Sequence, residues 1–194
     1  MAEISNLLER LSIIFEKSEL KYVIVGGVAV IHYGHIRNTQ DIDIIIEDDK
    51  SKFNLFLDLL EENDFDVMRD QFNMAYKENT NVSIFDNKSF LRLDIKFAKS
   101  NIEKMTLDSA CCENVFGKKI YIASLNNILI GKIIYMGDIS SISNSKLLGF
   151  QDVIDFLTIF HANKDRIDLD LLKKEVKRLG MQDRLDKLLQ IKLN

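Results

Sequence analysis

Apolar and polar positions follow one another in two rhythms along this chain, and the dominant rhythm changes once, near residue 124. At the start, Leu7, Leu8, Leu11, Ile14 and Phe15 recur at the three-to-four spacing of one helix face, within MAEISNLLERLSIIFEKSEL. KYVIVGG then reads as a short buried strand ending on glycine, and residues 27–33 as a short helix closed by Gly34. DIDIII, from Asp41 to Ile46, is a second strand, and EDDKSKFNLFLDLLEEND is a helix capped near Asp49. FDVMRD (65–70) and NVSIFD (81–86) read as further strands. FLRLDIKFA (90–98) alternates most cleanly, with Leu91, Leu93, Ile95 and Phe97 on one face and Arg92, Asp94 and Lys96 on the other. A helix over 102–112 and a strand over 119–123 complete this part.

From Ser124 onward SLNNILIGKIIYMGD, KLLGFQDVIDFLTIFHA, DLDLLKKEVKRLG and QDRLDKLLQIKL all carry helical periodicity, with SSISNS (140–145) as a polar loop. The pattern predicts an α/β (α+β) fold. A mixed-sheet core flanked by helices spans residues 1–123, and a C-terminal helical portion packed on it spans 124–194.

Composition narrows the class. With 46% hydrophobic and 29% charged residues the chain reads as an ordinary soluble globular protein, and 194 residues bury a core without cross-links. A formal net charge of −4 argues against a general electrostatic grip on nucleic acid. The late basic residues Lys173, Lys174, Lys177, Arg178, Arg184, Lys187 and Lys192 are interleaved with Glu175, Asp183 and Asp186, which reads as a solvated surface. Cys111 and Cys112 are neighbours, so they offer neither a cross-link framework nor a metal-ligand spacing, and a reduced, cytoplasmic setting fits. No stretch resembles a signal peptide or reaches the roughly 18 apolar residues of a membrane span.

The chemistry concentrates in GGVAVIHYGHIRNTQDIDIII, Gly26 to Ile46. Side chains two apart in a strand share a face, so Asp41 and Asp43 stand together while Ile42, Ile44 and Ile46 face the core. Two carboxylates held that close repel each other unless a cation is present. Hard oxygen donors of this kind suit Mg²⁺, with Mn²⁺ as a substitute. Gly26 and Gly27 end a strand and open a helix, where backbone N–H groups can receive a phosphate at close range. Asp94, on the polar face of its strand, is the third acid that a two-metal site needs, placed to help deprotonate a hydroxyl. His32 and His35 have no third soft ligand nearby and do not make a zinc site.

The spacing of GG, Arg37, Thr39, Asp41, Asp43 and the later Asp94 resembles the DNA polymerase β-like nucleotidyltransferase superfamily, and more narrowly the AbiEii-type small nucleotidyltransferases. The resemblance covers residues 20–160. It implies a nucleotidyltransferase fold and the transfer of an NMP from an NTP, ATP among them, to a hydroxyl acceptor, with pyrophosphate leaving. By that likeness Asp41, Asp43 and Asp94 hold Mg²⁺, and Gly26, Gly27, Arg37, Thr39 and Lys132 contact the nucleotide. Asp152 and Asp155 match the acidic part of a later motif but read better as bonding within the helical portion. Gln151 stands where the family has a lysine, and Asn127 where an acid is common. The acceptor stays open among an RNA end, a protein and a small molecule. A toxin–antitoxin setting with an antitoxin partner is implied by the likeness alone. The competing class is a non-catalytic module of the same fold, used as a regulatory or antitoxin-like binding partner.

Overall fold

The computed structural model describes residues 2–191; Met1 and residues 192–194, on which Lys192 and the end of the expected QDRLDKLLQIKL helix fall, lie outside them. The elements run α1 (Ala2–Ser18), β1 (Tyr22–Ile24), α2 (Gly26–His32), β2 (Asp41–Ile46), α3 (Lys50–Glu62), β3 (Phe65–Asp66), α4 (Arg69–Glu78), β4 (Val82–Asp86), β5 (Arg92–Phe97), α5 (Asn101–Asp108), β6 (Cys111–Val115), β7 (Lys118–Ile122), α6 (Leu125–Tyr135), α7 (Asn144–Leu147), α8 (Gln151–Ala162), a 3₁₀ turn (Lys164–Arg166), α9 (Leu169–Arg178) and α10 (Gln182–Leu189). They form two compact units. The first holds the chain up to Ala29 together with Asn38–Ala123, and the second holds Val30–Arg37 together with the chain from Ser124 onward.

The first unit is a seven-stranded mixed sheet in the order β3-β4-β5-β2-β1-β7-β6. β2 runs parallel to β5 and antiparallel to β1. Its six residues change character halfway: Ile44, Ile45 and Ile46 are all buried, whereas Asp41 and Asp43 alternate with buried Ile42. The second half is covered on both faces, which is where an unbroken apolar run belongs. α5 supplies one cover. It packs on β1 and β2, and its Glu103 pairs with Lys96, a residue on the Asp94 face of β5. In the first half of β2 Ile42 fills the core face, and the half-buried aspartates occupy the other.

The opposite face holds the core. Ile42, Leu93, Ile95 and Phe97 are fully buried there, and Phe97 meets Phe53 of α3 and Phe72 of α4 at ring-centroid distances of 5.7 and 5.1 Å. Leu7, Leu8, Leu11, Ile14 and Phe15 of α1 are also buried, with Phe15 stacked on Tyr22 at 3.9 Å. Each such side chain contributes about 1.5–3 kcal/mol by leaving water. Asp49 caps α3 and Ser100 closes a capping box with Glu103 at α5, each replacing a missing helix hydrogen bond.

Three expectations are corrected. The stretch 65–70 is a strand only at Phe65–Asp66, and from Arg69 the chain forms α4, because Phe72 and Ala75 bury one helix face among the α3 and β5 aromatics. The helix expected over 102–112 ends at Asp108, and Cys111–Val115 instead pairs with β7 as a hairpin strand. Its two-residue turn, Phe116 and Gly117, has φ of 50° and 82°, the paired positive values of a type I′ turn. The polar loop at 140–145 gives way to α7 at Asn144. Cys111 and Cys112 are both free and exposed. Among the described residues no helix is long and apolar enough to cross a membrane.

The second unit is built on helices. Asn126 of α6 donates to the Asp168 carbonyl at 2.6 Å and accepts from its N–H at 3.1 Å, pinning the start of α9. Two of the late basic residues are spent on backbone. Arg184 donates to the carbonyl of Ile133, and Lys187 gathers the carbonyls of Ile139, Ser140 and Ile142 within 2.6–2.7 Å.

Candidate active site

The parallel pairing of β2 with β5 sets Asp43 directly beside Asp94 and Asp41 beside Arg92. All four point away from the core, because their neighbours Ile42, Leu93 and Ile95 fill the core face. On the next strand Ser83 is the register partner of Asp94, and its hydroxyl donates to Asp94 Oδ1 at 2.6 Å. Thr39, in the loop before β2, brings its hydroxyl to 2.8 Å from Asp41 Oδ1.

Facing carboxylates on adjacent strands are unfavourable. Arg92 offsets part of that cost from within the sheet, at Asp94. Its Nη2 donates to Asp41 Oδ2 at 3.3 Å and its Nε to Asp94 Oδ1 at 3.1 Å, so one guanidinium spans both acids. Among the described residues no three His, Cys, Asp or Glu side chains form a group able to hold a metal ion as they stand.

Gly26 closes the other end of this row. Its φ is +59°, a left-handed conformation that glycine tolerates best, and a Cβ on it would stand 1.8 Å from Asp43 Oδ2. The N–H of Val25 donates to the Asp43 carbonyl at 2.9 Å, which locks the glycine turn against the aspartate. Gly27 follows inside α2. Across the sheet the order is therefore Ser83, Asp94, Asp43, Gly26.

Arg37 and Lys132, expected to contact phosphate, belong to the second unit and converge there on Asp155, whose side chain is fully buried. Lys132 Nζ reaches Asp155 Oδ2 at 2.6 Å and Asp152 Oδ1 at 2.8 Å. His35 Nδ1 and Gln151 Nε2 approach Asp155 Oδ1 at 2.8 and 2.7 Å, and Arg37 Nη1 stands 3.4 Å from Oδ2. Burial works to push the Asp155 carboxyl up. The hydrogen bond and charge of Lys132, with Gln151 and Arg37 behind them, outweigh it and leave the carboxyl below its ordinary range. Gln151, at the position where the resemblance has lysine, thus supplies a neutral donor to this carboxylate. Asp152 bonds within the helices, whereas Asp155 also bonds His35 and Arg37 of the segment before β2.

Sequence reasoning placed the three aspartates on compatible faces but missed Arg92 as the counter-ion of Asp41 and Asp94, although the period of β5 puts it on the Asp94 face. Ser83 carried no signal of its own. The spacing of His35 from His32 gives no sign of its partnership with Asp155, which spans 120 residues.

Several solved structures share the fold. A nucleotidyltransferase-like protein from Paracoccidioides brasiliensis is 19% identical with a TM-score of 0.56, over 100% of this chain and 95% of its own. The antibiotic-resistance factor ANT(2″)-Ia in solution is 13% identical with a TM-score of 0.59, over 96% and 95% of the two chains. Its crystal structure is 14% identical with a TM-score of 0.58, over 94% and 99%. At these identities the likeness is one of fold. No curated protein matches the chain in sequence. A family model does match, over residues 2–104, a span that contains the whole row from Gly26 to Asp94; the chain belongs to the family of nucleotidyltransferases of unknown function, DUF6036.

Proposed function

We propose that the row Asp94–Asp43–Gly26, with Asp41 beside it, transfers an NMP from a nucleoside triphosphate, ATP among them, to a hydroxyl acceptor. The observation that carries this reading is the strand register: Asp43 and Asp94 come from segments distant in sequence and meet side by side on the sheet face away from the core. An acidic pair there is costly to the fold, and the Gly26 turn is shaped around one member of it.

The donor chemistry fits a divalent cation. Asp41, Asp43 and Asp94 are all hard oxygen donors and would hold Mg²⁺ only once they draw together and Arg92 gives way, since they form no metal-ready group as they stand. When bound it supplies positive charge against the oxygens of the transferring phosphate. The remaining steps belong to the chain. The hydroxyl proton of the acceptor passes to Asp94, the acceptor oxygen bonds to the α-phosphorus, and the bond to the β-phosphate breaks with release of pyrophosphate. Thr39 and Ser83 fix the orientation of the two outer carboxylates by their hydroxyl bonds. Gly26 and Gly27 bring the backbone close to the triphosphate. Phosphate roles for Arg37 and Lys132 rest on the family resemblance, as does the narrower likeness to AbiEii-type enzymes with its toxin–antitoxin setting. One structural neighbour, ANT(2″)-Ia, was solved in complex with adenylyl-2″-tobramycin. A nucleotidylated hydroxyl compound is the kind of product proposed here.

Arg92 favours a second reading, because a guanidinium already bridges Asp41 and Asp94. In that reading the fold serves as a non-catalytic binding module. Thermal unfolding with each of four NTPs, with and without Mg²⁺, separates the two. Ligand at about a hundred times its Kd adds roughly 2.7 kcal/mol, or about 5–10 °C for a chain of this size. The transferase reading expects a Mg²⁺-dependent shift that vanishes in Asp41→Asn/Asp43→Asn. A wild type that no nucleotide shifts would leave the binding-module reading.

A further inference from the structure

The residues leading into β2 alternate without a break. His35, Arg37, Thr39 and Asp41 are half-buried, and Ile36, Asn38 and Gln40 between them are exposed, Ile36 to 92%. That is the period of an extended strand. Yet residues 36–39 belong to no strand and make no backbone–backbone hydrogen bond among the described residues. Backbone holds the segment only at its ends. The His35 N–H donates to the Val30 carbonyl at 3.2 Å, and the Gln40 carbonyl accepts from the Arg92 N–H at 3.1 Å. Between those points the grip is made by side chains.

We infer that Asp155 is a positioning residue for the acid row: it anchors this segment through His35 and Arg37, and so sets Thr39 and the Asp41 carboxylate that Thr39 orients. The inference rests on the transferase reading for the use made of Asp41, and adds to it what holds that carboxylate ready.

The anchor itself is firm. The Asp155 side chain is fully buried, Lys132 Nζ stands 2.6 Å from its Oδ2, and Gln151 Nε2 donates to its Oδ1 at 2.7 Å. His35 and Arg37, in the same unit, take one oxygen each, at 2.8 Å from Oδ1 and 3.4 Å from Oδ2. Ties at two alternate residues fix the twist of an extended segment as well as its place, where one tie would let it pivot. The Nε of Arg37 is buried with no hydrogen-bond partner. Such an orphan donor is costly, so Arg37 is not placed by its own best bonding.

The chain then runs directly into Thr39, on the same side of the alternation. The Thr39 hydroxyl stands 2.8 Å from Asp41 Oδ1 and 3.1 Å from the Asp41 carbonyl, so a twist at Thr39 is passed to the carboxylate. Asp41 needs this support. It opens β2 and shares a face with Asp43, whose like charge pushes it outward.

The test is NMR of the full chain without nucleotide, with the Thr39 methyl, the Asp41 carboxyl carbon and the Ile42 and Ile44 methyls labelled. In Asp155→Asn the Thr39 and Asp41 signals should shift and the Thr39 methyl should lose order, while Ile42 and Ile44 stay in place. Arg37→Ala removes one tie and should act in the same direction; it serves if Asp155→Asn does not fold. Asp152→Asn is the control. It takes an acid from the same Lys132 but touches neither His35 nor Arg37, and should leave Thr39 and Asp41 unmoved. The inference is overturned if Thr39 and Asp41 keep their wild-type signals in the folded variants, if Ile42 and Ile44 move with them, or if Asp152→Asn has the same effect. Calorimetry with ATP and Mg²⁺ on the same samples should show about tenfold weaker binding in Asp155→Asn, and equal binding would also overturn it. A wild type that binds no ATP sinks the transferase reading instead, and the nucleotide-free signals still decide whether Asp155 sets Asp41.

Discussion

The Asp43 carboxylate fills the space that any side chain at position 26 would need: a Cβ on Gly26 would stand 1.8 Å from Asp43 Oδ2. Gly26→Ala therefore has two costs, the clash and a φ of +59° that alanine resists. We expect a loss of about 2–4 kcal/mol in urea unfolding together with loss of the nucleotide-induced thermal shift. Gly117→Ala is the control. Its φ is +82° with nothing within 4 Å, so it should cost only the strain, about 1 kcal/mol, and leave nucleotide binding alone.

Arg92 occupies the carboxylates that the proposed divalent cation would need. Removing the guanidinium in Arg92→Ala should tighten Mg²⁺ binding by about tenfold, a change of about 1.4 kcal/mol, as read by calorimetry without nucleotide. Weaker or unchanged Mg²⁺ binding in the variant would show that Arg92 serves to hold the acids in place for the ion.

Asp155 sets an acid limit on stability. Its carboxyl is held below the ordinary range in the folded chain, so its contribution is complete above the unfolded-state value of about 3.9 and disappears as pH falls through the lower folded value. Asp155→Asn leaves Arg37 beside a neutral group and Lys132 with Asp152 alone, and should cost about 3 kcal/mol at neutral pH. Urea midpoints followed from pH 7 to pH 3 should then fall less steeply in the variant than in the wild type, chiefly below about pH 4.

Elements whose pattern is decided locally were legible in the sequence. DIDIII is a strand over the residues its alternation marks, and Asp49 caps α3 where a polar residue precedes an amphipathic run. Elements decided by distant partners were not. α4 is mostly polar and owes its helix to Phe72 and Ala75 finding the aromatics of α3 and β5. β6 is read from CCENV only through its pairing with β7, across a Phe116–Gly117 turn that lacks the usual asparagine. In the site, strand period was enough to align Asp41, Asp43 and Asp94. It says nothing of which strands are neighbours, so the meeting of Asp43 with Asp94 and the reach of Arg92 to Asp41 needed the sheet order.

That neighbour relation has a kinetic side. Parallel strands cannot be joined by a tight turn, and Asp41 and Arg92, partners in register, lie 51 residues apart with α3, β3, α4 and β4 between them. Closing so long a segment is entropically slow. Until it closes, Asp43 and Asp94 are remote and their repulsion is not felt. The electrostatic cost of the acid row is thus deferred to the step that docks β5 on β2, and Asp94→Asn should speed that step while it disarms the site.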